Sequence, residues 1–450
     1  MNKPIRLSTI VMIGWILISG SLKSCNSPES KDIKPNIILI MADDLGYGDL
    51  SCYGSPLIRT PHLDSLAAEG VRFTDFHSNG TVCSPTRAAL LTGKYQQRTG
   101  IDFVVTVEKR DLGLGLEETT FAESMKSEGY ITGIFGKWHL GYNPRFNPIH
   151  QGFDEYIGFL AGNVDYHSHV DQAGYEDWWM GDQLVPEEGY TTDIITSHAV
   201  NFIKKHKEEK FLLYIPHEAP HYPYQGRASK ADRMIGGKPG KDYPVRGSEE
   251  DYDALHREMV EVIDEGIGKI IQTLEELNLD KNTLVLFCSD NGATRDVGSN
   301  APFRDAKGTV WEGGHRVPAI AWWPGSIKPG GLNHETVMSM DFFPTMVDVA
   351  GGNLPIDLDG VNLKGLLLKG ESLPDRDLFW QYRSQRAVRS GEWKLVSLAP
   401  GEKSQLFNLK NDPEEAYNLA KTNPDLVQEL EQKLTEWEND VKIGTKSSPE

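Results

Sequence analysis

Four continuous apolar runs constrain this 450-residue chain more than anything else in it. Residues 36–42, 130–135, 211–215 and 283–289 are rich in aliphatic and aromatic side chains and show little alternation with polar ones. A strand that is apolar on both faces must be covered on both faces, as in parallel sheets sandwiched between helices. The segments between the runs carry helical spacing at 62–70, 119–129, 191–205 and 252–277. Strands alternating with helices predict an α/β domain on a large, mostly parallel sheet. In such sheets ligands gather beyond the carboxyl ends of the strands. Here the runs end in Asp43-Asp44, in Lys137 and His139, in His217 and His221, and in Asp290-Asn291. Four strand ends bearing residues of catalytic type predict one shared site.

After about Pro374 the texture changes. Residues 378–382, 386–389, 393–398 and 405–409 read as short antiparallel strands joined by turns such as Ser390-Gly391, and 423–441 as a charged amphipathic helix. The expected organisation is a catalytic domain over 35–373 and a small C-terminal α+β subdomain over 374–450. Gly, Pro and Lys dominate 226–248, which predicts a long surface loop.

Residues 1–24 do not belong to the fold. Lys3 and Arg6 precede an apolar stretch at 10–18, far short of the about 20 residues a spanning helix needs. That is the pattern of a secretory signal. Leu22-Lys23-Ser24-Cys25 resembles a bacterial lipobox, in which Cys25 becomes the lipidated first residue and 25–34 a polar tether. Lys23 is atypical of such a box, so cleavage to a soluble periplasmic form stays open. Either route places the protein in the periplasm or at the outer membrane or cell surface of a bacterium, with membrane attachment through Cys25 in the first. Loss of Lys3, Arg6 and Lys23 takes the net charge from −19 to −22. So acidic a chain argues against nucleic acid as a partner. It does not argue against an anionic sugar, because a pocket can be basic inside an acidic protein. Of the remaining cysteines, Cys52 and Cys288 suggest no disulfide framework, and Cys288 reads as a buried thiol in a strand.

The stretch Val82-Cys83-Ser84-Pro85-Thr86-Arg87-Ala88-Ala89-Leu90-Leu91-Thr92-Gly93 organises the site. Pro85 reads as the first helical position and Ser84 as its cap, which sets Cys83 just before a helix N-terminus that favours negative charge. Alone, Cys-x-Pro-x-Arg is as readily a buried cysteine beside a helix cap. A second motif, Gly129-Tyr130-Ile131-Thr132-Gly133-Ile134-Phe135-Gly136-Lys137-Trp138-His139-Leu140-Gly141, changes that balance. In this order the two motifs resemble the signatures of the type I sulfatases, and the resemblance runs from about Lys34 to near the C-terminus.

The resemblance implies an alkaline-phosphatase-like core with a small C-terminal subdomain. It implies that a maturation enzyme oxidises Cys83 to Cα-formylglycine (3-oxoalanine), whose hydrated aldehyde attacks sulfate monoesters through a covalent sulfate on the enzyme. A plain thiolate would form a thiosulfate with no easy exit, whereas the second hydroxyl of the diol expels the sulfate. Asp43-Asp44 is a pair of carboxylates whose repulsion a hard cation relieves, Asp290-Asn291 offers a further carboxylate and an amide carbonyl, and all-oxygen ligands suit Ca²⁺, or Mg²⁺ as second choice. The family favours Ca²⁺ on Asp43, Asp44, Asp290, Asn291 and the modified Cys83. A sulfate ester needs cations on its oxygens and an acid for its leaving group. By resemblance Arg87 holds the formylglycine, Lys137 and Lys307 bind sulfate, His221 protonates the leaving alcohol, and His139 takes the proton of the second hydroxyl. His217 competes with His221 and is otherwise a substrate contact.

Specificity falls to the loops. Asp165-Tyr166-His167-Ser168-His169 and Trp178-Trp179 have the make-up of a sugar subsite, with His167 and His169 as substrate contacts. Internal packing of the two tryptophans is an equal alternative. The expected substrate is a sulfated polysaccharide or its oligosaccharides, algal (ulvan, carrageenan) or a glycosaminoglycan. The alternatives are a phosphonate or phosphate ester hydrolase of the same superfamily, and an inactive glycan-binding lipoprotein.

Overall fold

The computed structural model describes Met1 and residues 34–442. The signal segment, Cys25 and all of the tether except Lys34 lie outside the described residues. Residues from Lys34 on form one compact unit.

Ten strands make the main sheet: β1 (Asn36–Ala42), β2 (Val71–Phe73), β3 (Ile131–Lys137), β4 (Glu155–Phe159), β5 (Trp179–Met180), β6 (Gln183–Leu184), β7 (Phe211–Pro216), β8 (Thr283–Ser289), β9 (Ala319–Trp322) and β10 (Gly331–Asn333). Their order is β10-β2-β9-β8-β1-β7-β3-β4-β5-β6. The central five, β8, β1, β7, β3 and β4, are parallel, as the apolar runs predict. On one side β9 is antiparallel to both β8 and β2, with β10 parallel to β2 at the edge; on the other, β5 is antiparallel to β4 and β6 to β5. These short flanking strands lack a long apolar run, so the sequence reading does not contain them.

Successive β1 side chains point to opposite faces. Ile37, Leu39 and Met41 enter the core beneath the helices Cys83–Thr92, Phe121–Ser127 and Phe342–Val349. Ile38, Ile40 and Ala42 enter the other, beneath Pro61–Glu69, Thr191–Lys205 and Tyr252–Glu276. Each fully buried Ile or Leu contributes about 1.5–3 kcal/mol, which makes β1 the spine of the sandwich. Register then aligns the strand ends. The His217 N–H donates to the Met41 carbonyl (2.8 Å), the Asp290 N–H to Ala42 (3.1 Å) and the Asp43 N–H to the Ala219 carbonyl (3.1 Å).

The second sheet is four-stranded and antiparallel: Asp377–Tyr382, Gln385–Ser390, Trp393–Ser397 and Gln405–Asn408. The helix Pro424–Asp440 closes a third core with it, built on Trp380, Leu395, Leu406, Leu434 and Trp437. The segment 226–248 has no helix and no named strand, but it is not wholly a surface loop, because Arg233 and Tyr243 within it are buried. Cys52, Cys83 and Cys288 are free thiols, with Cys288 buried in β8.

Candidate active site

The helix that carries the cysteine starts earlier than its proline suggests. It spans Cys83–Thr92 with extended Val82 at the cap position, so Cys83 is its first residue and Pro85 its third. The first four helical N–H groups have no partner inside the helix, so proline is tolerated throughout the first turn. Ser84 is therefore no cap; its hydroxyl accepts the Val105 N–H (3.1 Å).

Cys83 is 2% exposed at the floor of a cavity of about 660 Å³. Its Sγ stands 3.5 Å from Asp43 Oδ1 and 3.5 Å from Lys307 Nζ. Burial, then Asp43, pushes its thiol up to about 12, so the unmodified side chain is neutral at physiological pH. Arg87 lies behind it, with Nη2 on Asp290 Oδ2 (2.9 Å) and Asp43 Oδ2 (3.2 Å) and Nη1 donating to the Lys137 carbonyl (3.0 Å). Lys137 Nζ lies against Asp43 Oδ2, and Lys307 Nζ is 2.6 Å from Asp44 Oδ1. Burial works against the Lys307 ammonium, yet Asp44 holds its pKa well above the usual range. Three carboxylates, Asp43, Asp44 and Asp290, thus face three cations, and a divalent ion added to them tips the site positive.

The donors fit such an ion. One ligand atom each from Asp43, Asp44, Cys83 and His221 lies within 4.8 Å of the others. Asp44 Oδ2 and Asn291 Oδ1 are buried and have no hydrogen-bond partner. Asn291 Nδ2 donates to Asp44 Oδ1 (2.7 Å), which fixes its carbonyl oxygen as the free atom. Asp290 is more engaged, since its Oδ1 accepts the Asp44 N–H and its Oδ2 holds Arg87. Burial and the neighbouring Asp43 raise its pKa, a cost that a cation removes.

The two cavity histidines have different tautomers. His221 Nδ1 donates to the Tyr222 carbonyl (2.6 Å), leaving Nε2 3.7 Å from Asp44 Oδ2. His139 Nε2 donates to the Val105 carbonyl (3.0 Å), leaving a buried, unpartnered Nδ1 lone pair. Burial first, and then Lys307 for His221 or Lys137 for His139, lowers both pKa values well below the usual range. Asp44 and His139 also hold left-handed backbone (φ 63° and 57°), which costs on the order of 1–3 kcal/mol and persists only where the surroundings impose it.

Cys83, His139, His221 and Lys307 therefore line one cavity, with Asp43, Asp44, Arg87, Lys137, Asp290 and Asn291 packed around its floor. The other three histidines singled out in the sequence, His167, His169 and His217, are elsewhere. His217 is fully buried and faces no polar partner, and burial brings its pKa down to about 4. His167 Nε2 bonds the Gly226 carbonyl (3.0 Å), and His169 stacks on Trp178 with ring centroids 4.5 Å apart. None of the three lines the cavity. Trp178 is packed too, its indole N–H donating to Glu187 (2.9 Å). The walls come instead from 104–108, Tyr142, Asn163, 171–173, Tyr222 and Tyr382. These are loop positions with no periodicity to mark them, and only the aromatic rings were a signal.

A second buried cluster, His77, Glu312 and His315, has metal-like spacing, but Lys394 Nζ sits in it, 2.8 Å from Glu312 Oε1 and 3.1 Å from His315 Nε2. An ammonium already supplies the positive charge there.

The chain matches known proteins along most of its length. The Sulfatase family model matches residues 35–352, and the model of the N-sulphoglucosamine sulphohydrolase C-terminal region matches 303–440. The chain is 36% identical to the N-acetylgalactosamine-6-sulfatase of Canis lupus familiaris, over 85% of this chain and 75% of that one. It is 36% identical to human arylsulfatase A, over 88% and 86%. Among solved structures, Ps i-CgsB in complex with k-i-k-neocarrahexaose superposes with a TM-score of 0.82 at 31% identity, covering 92% of this chain and 94% of that one.

Proposed function

The chain belongs to the sulfatase family, and from that membership we propose an exported enzyme that hydrolyses sulfate monoesters on a sulfated polysaccharide or its oligosaccharides, with formylglycine made from Cys83 as nucleophile and Ca²⁺ as the bound ion. The observation that carries this reading is the position of Cys83, a neutral buried thiol at a cavity floor between Asp43 and Lys307. A thiol so protonated is a poor nucleophile, so the site gains its chemistry when Cys83 is modified by a formylglycine-generating enzyme. The hydrated aldehyde supplies one hydroxyl to attack sulfur and a second to release sulfate.

The remaining work falls to side chains already in place. Arg87 and Lys137 hold charge at the floor, and Lys307 reaches over Cys83 toward an incoming anion. His221 Nε2 faces the cavity and gives a proton to the leaving oxygen once a bound anion offsets Lys307 and raises its pKa. The free Nδ1 of His139 suits the opposite task, taking the proton of the second hydroxyl. Asp43, Asp44, Asp290 and Asn291 would hold the ion, which neutralises their repulsion and polarises the hydroxyls. A sulfated glycan is supported by the relatives, one named for a sulfated sugar and another solved with a carrageenan-type hexaose. No helix among the described residues is long and apolar enough to cross a membrane, so attachment, where it occurs, would rest on the lipidated Cys25.

Two measurements test the reading. Protein co-expressed with a formylglycine-generating enzyme should yield a Cys83 tryptic peptide about 18 Da lighter than the cysteine form. It should also turn over 4-nitrophenyl sulfate in preference to 4-nitrophenyl phosphate. A light peptide with the opposite preference favours the phosphonate or phosphate ester hydrolase. An unmodified peptide, with glycan bound but not cleaved, favours the inactive binding protein. Metal removal gives a separate check. An ion held only by the folded state stabilises by about 4 kcal/mol at a thousandfold excess over its dissociation constant. Chelation should therefore lower the melting temperature, and Ca²⁺ should restore it at lower free concentration than Mg²⁺. A melting temperature indifferent to both ions would dispose of the ion.

A further inference from the structure

Of the three cations at the site, Arg87 rides on a helix and Lys137 on a strand, whereas Lys307 lies in 290–311, a segment with neither. Its ammonium, 3.5 Å from Cys83 Sγ, ends a flexible four-carbon stem, so it is only as well placed as the backbone beneath it. That backbone is held from two sides. The Lys307 N–H donates to the Ala293 carbonyl (3.0 Å), and the Gly308 N–H to the carbonyl of Thr81, two residues before Cys83 (2.8 Å). The groups beyond are met by the C-terminal sheet. Gln385 Nε2 donates to the Gly308 carbonyl (3.3 Å), and Gln385 Oε1 accepts the Val310 N–H (3.3 Å). One side chain thus serves a C=O and the N–H two residues on, as a neighbouring strand would. A carboxamide can do this because it carries a donor and an acceptor at one tip. Gln385 is itself firmly placed. It begins the strand Gln385–Ser390 and pairs with Tyr382 across a two-residue turn in which Arg383 takes left-handed backbone (φ 54°). The same turn sets Tyr382 in the cavity wall against Gly308, where a Cβ would stand 3.6 Å from the Tyr382 ring.

From this arrangement we propose that Gln385 is a positioning residue for Lys307, so that the C-terminal sheet sets, through one amide, where the ammonium stands over residue 83. Gln385 does not line the cavity, and it therefore acts through Lys307 and not on the substrate. The inference rests on the reading of Lys307 as the cation that meets the sulfate, and it adds that the C-terminal sheet is part of the catalytic apparatus.

The test is a double-mutant cycle on formylglycine-bearing enzyme, read as kcat/KM on 4-nitrophenyl sulfate with sulfated galactan and glycosaminoglycan oligosaccharides alongside. Gln385→Met keeps the length of the side chain but makes neither hydrogen bond. It should lower kcat/KM by about tenfold to a hundredfold, the scale on which a displaced catalytic group loses rate. Circular dichroism should match the parent, because Gln385 is only half-buried. In a Lys307→Ala background the same change should cost less than about twofold, since the group whose position it sets is gone. A loss from general loosening of the fold would instead multiply with that of Lys307→Ala. Full activity in Gln385→Met, or losses that multiply in the double variant, overturns the positioning role, while a large loss in Lys307→Ala keeps the reading of Lys307. A Lys307→Ala enzyme as active as the parent overturns that reading, and the role of Gln385 with it. Release of sulfate from no probe at all overturns the sulfatase reading and everything built on it.

Discussion

Cys83→Ala is expected to lower turnover of every sulfate ester by at least about four orders of magnitude, the usual scale when a nucleophile is deleted. The fold should survive. The lost Sγ makes only two long contacts, to Asp43 and Lys307, and Asp43 keeps Lys137 and Arg87 while Lys307 keeps Asp44. Circular dichroism should therefore match the parent, whereas the Ca²⁺-dependent rise in melting temperature should shrink, because the residue at 83 is one of the groups that would hold the ion. Cys83→Ser, made without a maturation enzyme, separates the two halves of the chemistry. It offers one hydroxyl to attack sulfur but none to expel the sulfate, so it should release one alcohol per enzyme and stall. Mass spectrometry should then find a stable gain of about 80 Da on that peptide. Sustained turnover by either variant would mean that Cys83 is not the attacking group.

The sequence made the middle of the sheet legible and left the walls of the cavity obscure, and the physics of each explains why. The helix Thr191–Lys205 and strand Thr283–Ser289 fall where periodicity and apolar continuity put them, since burial on both sides writes itself into composition. The strand ends are readable for the same reason, so Asp43, Lys137, His221 and Asp290 could be assigned to one place before any coordinates. Pro85 was less informative, because proline marks a first turn rather than a first residue. The histidines at 167 and 169 lie outside the lining of the cavity, His167 bonding the Gly226 carbonyl and His169 stacking on the Trp178 indole. A loop residue's direction is set by contacts distant in sequence, and no local pattern records it.

The buried charges between the two sheets were invisible too, and they carry the largest stability effect to be expected. Lys394 is fully buried, with Nζ 2.8 Å from Glu312 Oε1 and 2.9 Å from Glu415 Oε1. Glu415 Oε2 in turn accepts the Glu312 N–H (2.8 Å), and Arg304 donates to the Glu415 carbonyl (2.8 Å), so the pair ties the C-terminal sheet to the segment that bears Lys307. Removing one member of a buried ion pair strands the other, at a cost of about 3–5 kcal/mol. Lys394→Met should lose about that much in urea unfolding at neutral pH. The pH dependence fixes the cause. Burial opposes ionisation of Glu312, but Lys394 most of all holds its pKa well below the ordinary value. A depressed group stabilises above its unfolded pKa and loses that contribution as pH falls. Without Lys394, Glu312 keeps Arg316 (3.2 Å from Oε2) but is depressed less, so the variant has less of this stabilisation to lose as pH falls. The gap between parent and variant should therefore narrow steadily on acidification. Adding Glu312→Gln to Lys394→Met should recover part of the loss, because the stranded charge goes with it. A gap that stays constant with pH would assign the loss to packing around Trp380 and not to the lost Lys394–Glu312 attraction.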